Sequence, residues 1–231
     1  MKVNLAALSL AAMVFGLSSP AAAQLAVAII EDVQGKPAGV EFMDYVSTGK
    51  VIKLGAKDTV VIGYMKSCWR ETITGGTVTV GIEQSDVQAG KVDRSKVACD
   101  ASYKQLTEQQ QGAVGATVFR SLKPGEKPAA AVAAAAPIHG VTLFGTSPVI
   151  EMKSDGKLEI ERIDVPGERH VIFVGRNSLV RGSFYDLAKM RRVLTPGGIY
   201  VARLGDRQTY FKVDAQAKAQ TAIVGRLLRF E

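Results

Sequence analysis

The sequence predicts an all-β protein built mainly of antiparallel strands, and three observations carry the prediction. Short β-branched runs recur at intervals of roughly ten residues, parted by Gly, Pro, Asp and Ser clusters, which is the rhythm of a sandwich rather than of packed helices. One segment rich in proline and alanine, KPGEKPAAAVAAAAP from Lys123 to Pro137, interrupts that rhythm and reads as a linker between two folded units. The composition, 47% hydrophobic and 22% charged over 231 residues, is globular and excludes disorder, collagen and coiled coil. Two small antiparallel β domains are therefore expected, at residues 24–122 and 138–231, with the linker at 123–137 between them.

The first 23 residues are expected to stand outside both domains. Lys2 supplies a positive start, Leu5 to Leu17 is an apolar run of about 13 residues, and Ser18, Ser19 and Pro20 break it before Ala21, Ala22 and Ala23. This is the pattern of a signal peptide cleaved before Gln24, because a retained anchor would need roughly 18 apolar residues. The mature chain is then exported without a transmembrane span, and in a Gram-negative host it is periplasmic. Export decides how the two cysteines read. Cys68 and Cys99 lie 31 positions apart, lack CxxC spacing and have no His nearby, so they are predicted to form a structural disulfide.

In the first domain, LAVAII (Leu25 to Ile30), GKVIKLG (Gly49 to Gly55), DTVVIGYM (Asp58 to Met65), WRETI (Trp69 to Ile73) and TVTVGI (Thr77 to Ile82) are predicted strands. Gly75 and Gly76 fall between the last two and predict a two-residue hairpin turn. After Cys99, Leu106 to Phe119 is expected to begin as a short helical turn capped by Thr107.

In the second domain the predicted strands are VTLFG (Val141 to Gly145), VIEM (Val149 to Met152), LEIERID (Leu158 to Asp164), RHVIFVG (Arg169 to Gly175), IYVARLG (Ile199 to Gly205) and QTYFKVD (Gln208 to Asp214). The last two predict a hairpin through LGDRQ. DLAKMRRVL, Asp186 to Leu194, reads as one helical turn or an edge strand, and the stretch after Asp214 has helical character behind an N-cap at that residue. Ile223, Leu227 and Leu228 are expected to pack into this domain.

Charge separates at the linker. Residues 24–122 are balanced, whereas residues 138–231 carry ten Arg and five Lys against ten acidic side chains. Arginine binds planar carboxylate or phosphate through paired hydrogen bonds. Lys189, Arg191 and Arg192 cluster in AKMRR, and Arg203 and Arg207 lie near predicted strand ends, so these five are the candidate binding residues, with Arg226 and Arg229 near the end of the sequence. The opposite reading is a solvated surface whose arginines pair with Glu and Asp. The anions of an exported setting are lipid headgroups, lipopolysaccharide phosphates, cell-wall carboxylates and acidic proteins. Nucleic acid is not expected there, despite a pI of about 9.4.

Catalytic motifs are missing from the sequence. A Ser-His-Asp triad needs an imidazole oriented by an acid, and the two histidines, His139 and His170, lie in no such motif. Two separated histidines and two bridged cysteines do not make a zinc site, and no P-loop, GxGxxG or EF-hand string occurs, so no metal or cofactor is expected. Glu159 and Glu161 alternate along one predicted strand and share a face, as do Glu151 and Lys153 on another. A glycosidase uses two such acids, but solvated strand faces carry the same pattern.

Two local patterns carry resemblances. LTPGGIY, Leu194 to Tyr200, resembles the corner of immunoglobulin-like and fibronectin type III sandwiches, where a Tyr six residues after the Leu closes a tyrosine corner. That resemblance implies an immunoglobulin-like sandwich in the second domain. The stretch from Val40 to about Val87, including VSTGKVIKLGAKDTVVIGYMKSCWRETITGGTVTVGIEQSDV, resembles the FecR-like periplasmic domain, with its short glycine-punctuated strands and its apolar strand followed by a Gly-containing turn. Ala56, Lys57 and Asp58, and Gly75, Gly76 and Thr77, stand where that family has its Gly-Asp and Asp-Gly-Ser steps. The resemblance implies a non-enzymatic envelope domain that senses or scaffolds. It does not extend to signalling through a sigma factor, since no inner-membrane helix or cytoplasmic segment is expected here.

These readings predict an exported envelope interaction module without catalysis, meeting an envelope protein or an anionic glycan or lipid through its basic second domain. A carboxylate-dependent glycan hydrolase and a structural subunit assembling by strand addition are the alternatives. The first requires an acid pair in a cleft, about 5 to 9.5 Å apart, and the second an unprotected edge strand.

Overall fold

The computed structural model describes residues 25–37, 39–100, 140–219 and 221–230. The signal-peptide segment, the helical turn expected at Leu106 to Phe119, the Ala/Pro segment and His139 lie outside the described residues. Among the described residues the only helices are 3₁₀ turns at Arg176–Ser178 and Ile223–Gly225, and none is long and apolar enough to cross a membrane. The protein is all-β, as its patterning predicts.

Strands β1 (Ala26–Gln34), β2 (Tyr45–Ser47), β3 (Val51–Tyr64), β4 (Trp69–Thr79), β5 (Asp86–Gln88) and β6 (Lys91–Lys96) form one antiparallel sheet. Its order is β2-β1-β3-β4, and β5 and β6 follow one another along the far side of β4. Two expected boundaries are absent. GKVIKLG and DTVVIGYM merge into β3, and WRETI and TVTVGI merge into β4, so Gly75 and Gly76 bend a continuous strand instead of turning a hairpin. The register shows why: it runs from Val51↔Thr79 to Leu54↔Gly76 and resumes at Thr59↔Thr74, leaving residues 55–58 of β3 bulged opposite the glycines. Asp58 fixes the bulge, its carboxylate accepting Gly55 N at 2.9 Å and Lys36 N at 3.3 Å. Gly76 has φ +81°, and a Cβ there would lie 2.3 Å from Gln88 O, so no other residue fits where the end of β5 approaches. Across the glycine pair the buried positions of β4 switch from Ile73 to Val78, with Val80 following just past the strand, which keeps all three in one core with Ala28, Ile52, Val60 and Ile62.

The Cys68–Cys99 disulfide is formed. It ties the β3–β4 turn to the segment after β6, where Val97 N also donates to Cys68 O at 3.0 Å. Asp100, the next residue, accepts Thr142 N at 2.7 Å. The end of the first half and the start of the second are thereby pinned side by side.

The second half holds β7 (Val141–Gly145), β8 (Val149–Glu151), β9 (Gly156–Arg162), β10 (Arg169–Val174), β11 (Phe184–Asp186), β12 (Ile199–Leu204), β13 (Arg207–Lys218) and β14 (Leu227–Leu228). They make a five-stranded sheet, β10-β9-β12-β13-β7, and a three-stranded one, β11-β8-β14. The β12–β13 hairpin forms as expected, with Leu204 opposite Arg207. Two pairings are parallel, β7 with β13 and β8 with β14, so this half is mixed rather than antiparallel throughout. The helix expected after Asp214 does not form, because β13 runs on to Lys218 against β7; a strand partner from far earlier in the chain overrides local helix preference. Asp186 to Leu194 is neither helix nor edge strand beyond Asp186, but a series of hydrogen-bonded turns. The core centres on Leu158, Ile160, Ile172, Phe211 and Tyr200, whose ring stacks on Phe211 at 5.4 Å.

A third apolar cluster joins the halves. Ile29 and Met43 of the first meet Val149, Phe184, Ile223 and Leu227 of the second. Strand β1 is therefore buried on both faces, Ala28 and Ile30 inward and Ile29 outward, which explains why LAVAII shows no polar alternation. Only part of the expected packing of residues 223–228 is into the second core: Leu228 lies there, while Ile223 and Leu227 fill the junction. Polar contacts add to it: Glu31 Oε1 accepts Val224 N at 2.7 Å, Tyr45 donates to Glu151 at 3.0 Å, and Arg181 pairs with Glu41 and with Asp44.

Candidate functional site

Of the candidate binding residues, Lys189, Arg191 and Arg192 stand together on the turns that follow β11. The backbone there is tightly closed: Arg192 N donates to Leu187 O at 2.9 Å and Arg191 N to Ala188 O at 3.0 Å, with Leu187 fully buried beneath. Asp186 anchors the base. Its carboxylate accepts Ala188 N at 3.0 Å and both terminal nitrogens of Arg226, at 2.8 and 3.3 Å, and Arg226 in turn donates to Ser147 O at 2.9 Å. Ser147 Oγ then donates to Arg192 O at 2.8 Å. Arg226, which the sequence places among free basic residues, is buried and serves this scaffold.

The three cations differ in surroundings. Lys189 Nζ lies 5.2 Å from the centre of the Phe42 ring in the first half. Arg191 and Arg192 are exposed and have no acidic partner among the described residues, and Met190 and Val193 are exposed beside them at 42% and 57%. Next to the turn, a groove of about 530 Å³ opens between the halves, lined by Phe42, Arg70, Ala188, Ala222 and Arg226 among others.

Arg203 and Arg207 are placed differently. Arg203 pairs with Glu161 at 2.7 Å on the open face of the five-stranded sheet, and Arg207 sits 5.4 Å from the Phe230 ring and donates to Met152 O at 3.4 Å. The other arginines among the described residues are ion-paired: Arg70 with Glu31, Arg94 with Glu71, Arg162 with Asp164, Arg169 with Glu159, Arg176 with Asp155 and Arg229 with Glu151, beside the pairs already described.

The acids considered for hydrolysis do share a face, Glu159 and Glu161 both pointing outward from β9. Each is held by cations there. Lys157 and Arg169 hold the Glu159 carboxyl down to about 2, the reverse of what a general acid needs. Glu151 accepts from Tyr45 and Arg229, while Lys153 lies past the end of β8 at φ +61°.

Of the cluster at the other end of this sheet, sequence reasoning singled out Tyr200, through LTPGGIY, but not its acidic partners. Tyr200 Oη lies 2.8 Å from Glu168 Oε2 and 3.0 Å from Thr195 O, and His170 Nε2 stands 3.5 Å from Glu168. Burial pushes the Glu168 carboxyl up, but hydrogen bonds from Tyr200 and Thr195 outweigh it and leave it below its ordinary value. Burial, with the Glu168 charge adding to it, raises the Tyr200 hydroxyl. Arg162 grips Asp164 with two bonds, 2.9 and 3.0 Å, and Asp164 also accepts Ile199 N at 3.0 Å. These groups brace the turns at 163–168 and 194–198; the signal for them was the PGE and TPGG turn residues. Among the described residues no three His, Cys, Asp or Glu side chains converge as a metal site would require. A scan against protein-family models and searches of curated proteins and of solved structures find no match to this chain.

Proposed function

We propose that this chain is an exported cell-envelope interaction module, without catalysis of its own, that meets an anionic partner through the turn bearing Lys189, Arg191 and Arg192. One observation carries the reading: in a set of arginines otherwise engaged with acids, a ring or a carbonyl, Arg191 and Arg192 alone are left exposed without such a partner among the described residues, on a backbone held rigid from beneath. A guanidinium pair so placed suits phosphate or carboxylate, and the exposed Met190 and Val193 suit an anionic surface with apolar material behind it. The signal-peptide pattern and the FecR-like resemblance favour the envelope as the setting. The hydrolase alternative lacks comparable support, since both of its acids lie ion-paired on an open sheet face.

Co-sedimentation tests it, with phosphatidylglycerol/phosphatidylethanolamine vesicles, neutral phosphatidylcholine vesicles and purified peptidoglycan sacculi as separate probes. The chain is expected to bind an anionic probe and not the neutral one. Arg191→Gln with Arg192→Gln is expected to reduce that binding roughly thirty-fold at low salt, and high salt to do the same to the unaltered chain. Failure to bind any anionic probe, or binding indifferent to the double substitution, removes the proposal.

A further inference from the structure

We infer that β10 pairs with β10 of a second copy of this chain, antiparallel about a two-fold axis at Val171, so that two five-stranded sheets join edge to edge. This surface is separate from the basic turn and rests on different observations. β10 ends its sheet and is bonded on one side, to β9. The bond from Arg162 N to Glu168 O sets the phase of that ladder: His170, Ile172 and Val174 exchange bonds with β9, so the N–H and C=O groups of Arg169, Val171 and Phe173 point outward. Among the described residues no backbone group bonds to them. Their side chains stand on the open face, with Phe173 81% exposed and Val171 41% exposed.

The other edges are guarded. β6 carries Lys91, Asp93, Arg94 and Lys96 in exposed positions, β2, β5 and β11 are three residues long and β14 two, and the outer side of β7 has Thr142 N capped by Asp100. β10 has six residues and neither a proline nor an acid.

Complementarity selects a second copy as the occupant. With the axis at Val171, that residue faces its own copy, and Arg169 faces Phe173 of the other chain at both ends of the pairing. All the outward N–H and C=O groups of the three residues are then satisfied together, each exposed ring packs on the aliphatic stem of an arginine whose guanidinium stays with Glu159, and no like charges oppose one another. Any other register leaves at least one of the three without an opposite number.

Sedimentation of the full chain over a concentration series tests this, alongside Val171→Pro. The Val171 N–H is unused within the subunit, so proline is tolerated at this edge while removing both central bonds between copies. A concentration-dependent dimer is expected, weakened about ten-fold or more by Val171→Pro, with circular dichroism unchanged and melting unchanged at concentrations where both chains are monomeric. Cysteine substitution tests the register independently of that variant. Val171→Cys brings the two introduced residues to a Cα separation of about 5.5 Å, within disulfide range, whereas Phe173→Cys leaves its pair about 13 Å apart along the strands. A disulfide-linked dimer band, seen without reductant and lost with it, is expected from the first and not the second. A chain that stays monomeric, a dimer indifferent to Val171→Pro, or equal crosslinking by both cysteine variants overturns the inference.

Discussion

Gly63 and Glu31 act as one unit at the junction of the two halves, and a double-substitution cycle exposes the coupling. Gly63 lies on β3 opposite Ile29 of β1, and a Cβ added there would fall 2.6 Å from Glu31 Oε1 and 2.9 Å from its carboxyl carbon. The end of a flexible side chain ordinarily swings away from such a clash. This one is fixed: Oε1 accepts Val224 N at 2.7 Å, Oε2 accepts Arg70 Nε at 2.8 Å, and the side chain is 2% exposed. Gly63→Ala must therefore push the carboxylate off its donors and leave the buried Val224 N–H unpaired. A lost hydrogen bond to a charged group and an orphaned buried donor together destabilise by about 3 to 5 kcal/mol, and Glu31→Ala removes the same bonds. At 2 to 4 °C per kcal/mol for a chain of this size, each single substitution is expected to lower Tm by roughly 6 °C or more. With both substitutions the added methyl meets no carboxylate, so the double variant is expected to be no less stable than Glu31→Ala alone, a coupling of about 3 kcal/mol. Urea titration measures it, read by fluorescence of Trp69, the one tryptophan of the chain, and by circular dichroism. Additive losses would refute the reasoning.

Two further outcomes are expected. Replacing Cys68 and Cys99 together by Ser is expected to remove about 3 to 4 kcal/mol, measured by calorimetry, and to speed amide exchange at Thr142, whose N–H is held by the residue after Cys99. The Arg162 guanidinium beside Asp164 holds that carboxyl down to about 2 from its ordinary 3.8; since the folded value is the lower one, its contribution is complete above about pH 4 and is lost as pH falls through about 2. Asp164→Asn is expected to flatten the stability profile in that window, and melting curves between pH 6 and pH 2 check it.

Strand content was legible because β-branched runs are a local signal, but strand ends were not. Gly55 and Asp58 are turn formers in any local reading, and so are Gly75 and Gly76. What makes them a matched bulge and bend is that they lie opposite one another across β3 and β4, a relation the linear order does not display. The residues after Asp214 fail for the same reason in reverse, since their fate is set by β7. Glu31 and Arg226 were detectable in part: an ion inside an apolar run, as in AIIED and IVGRLL, marks a buried charge. Its partner is not marked, because Arg226 and Asp186 stand 40 positions apart, and Glu31 and Val224 stand 193 apart.

Net charge is a poor guide to how much of a surface is free to bind, and the second half of this chain shows the mechanism. Its arginine excess suggests a broad basic face, yet Arg162, Arg169, Arg176, Arg181, Arg203, Arg226 and Arg229 each meet an acid, several of them across strands or across the junction. A broad face would bind through many weak, mobile contacts. Two exposed guanidiniums on a turn whose backbone is fixed by Leu187, Asp186 and Arg226 work differently, because the backbone has little freedom left to lose when a ligand arrives and only the arginine rotamers are given up. The proposed binding therefore draws on rigidity more than on charge number, and its ligand is expected to present anions closely enough spaced for adjacent arginines to grip together.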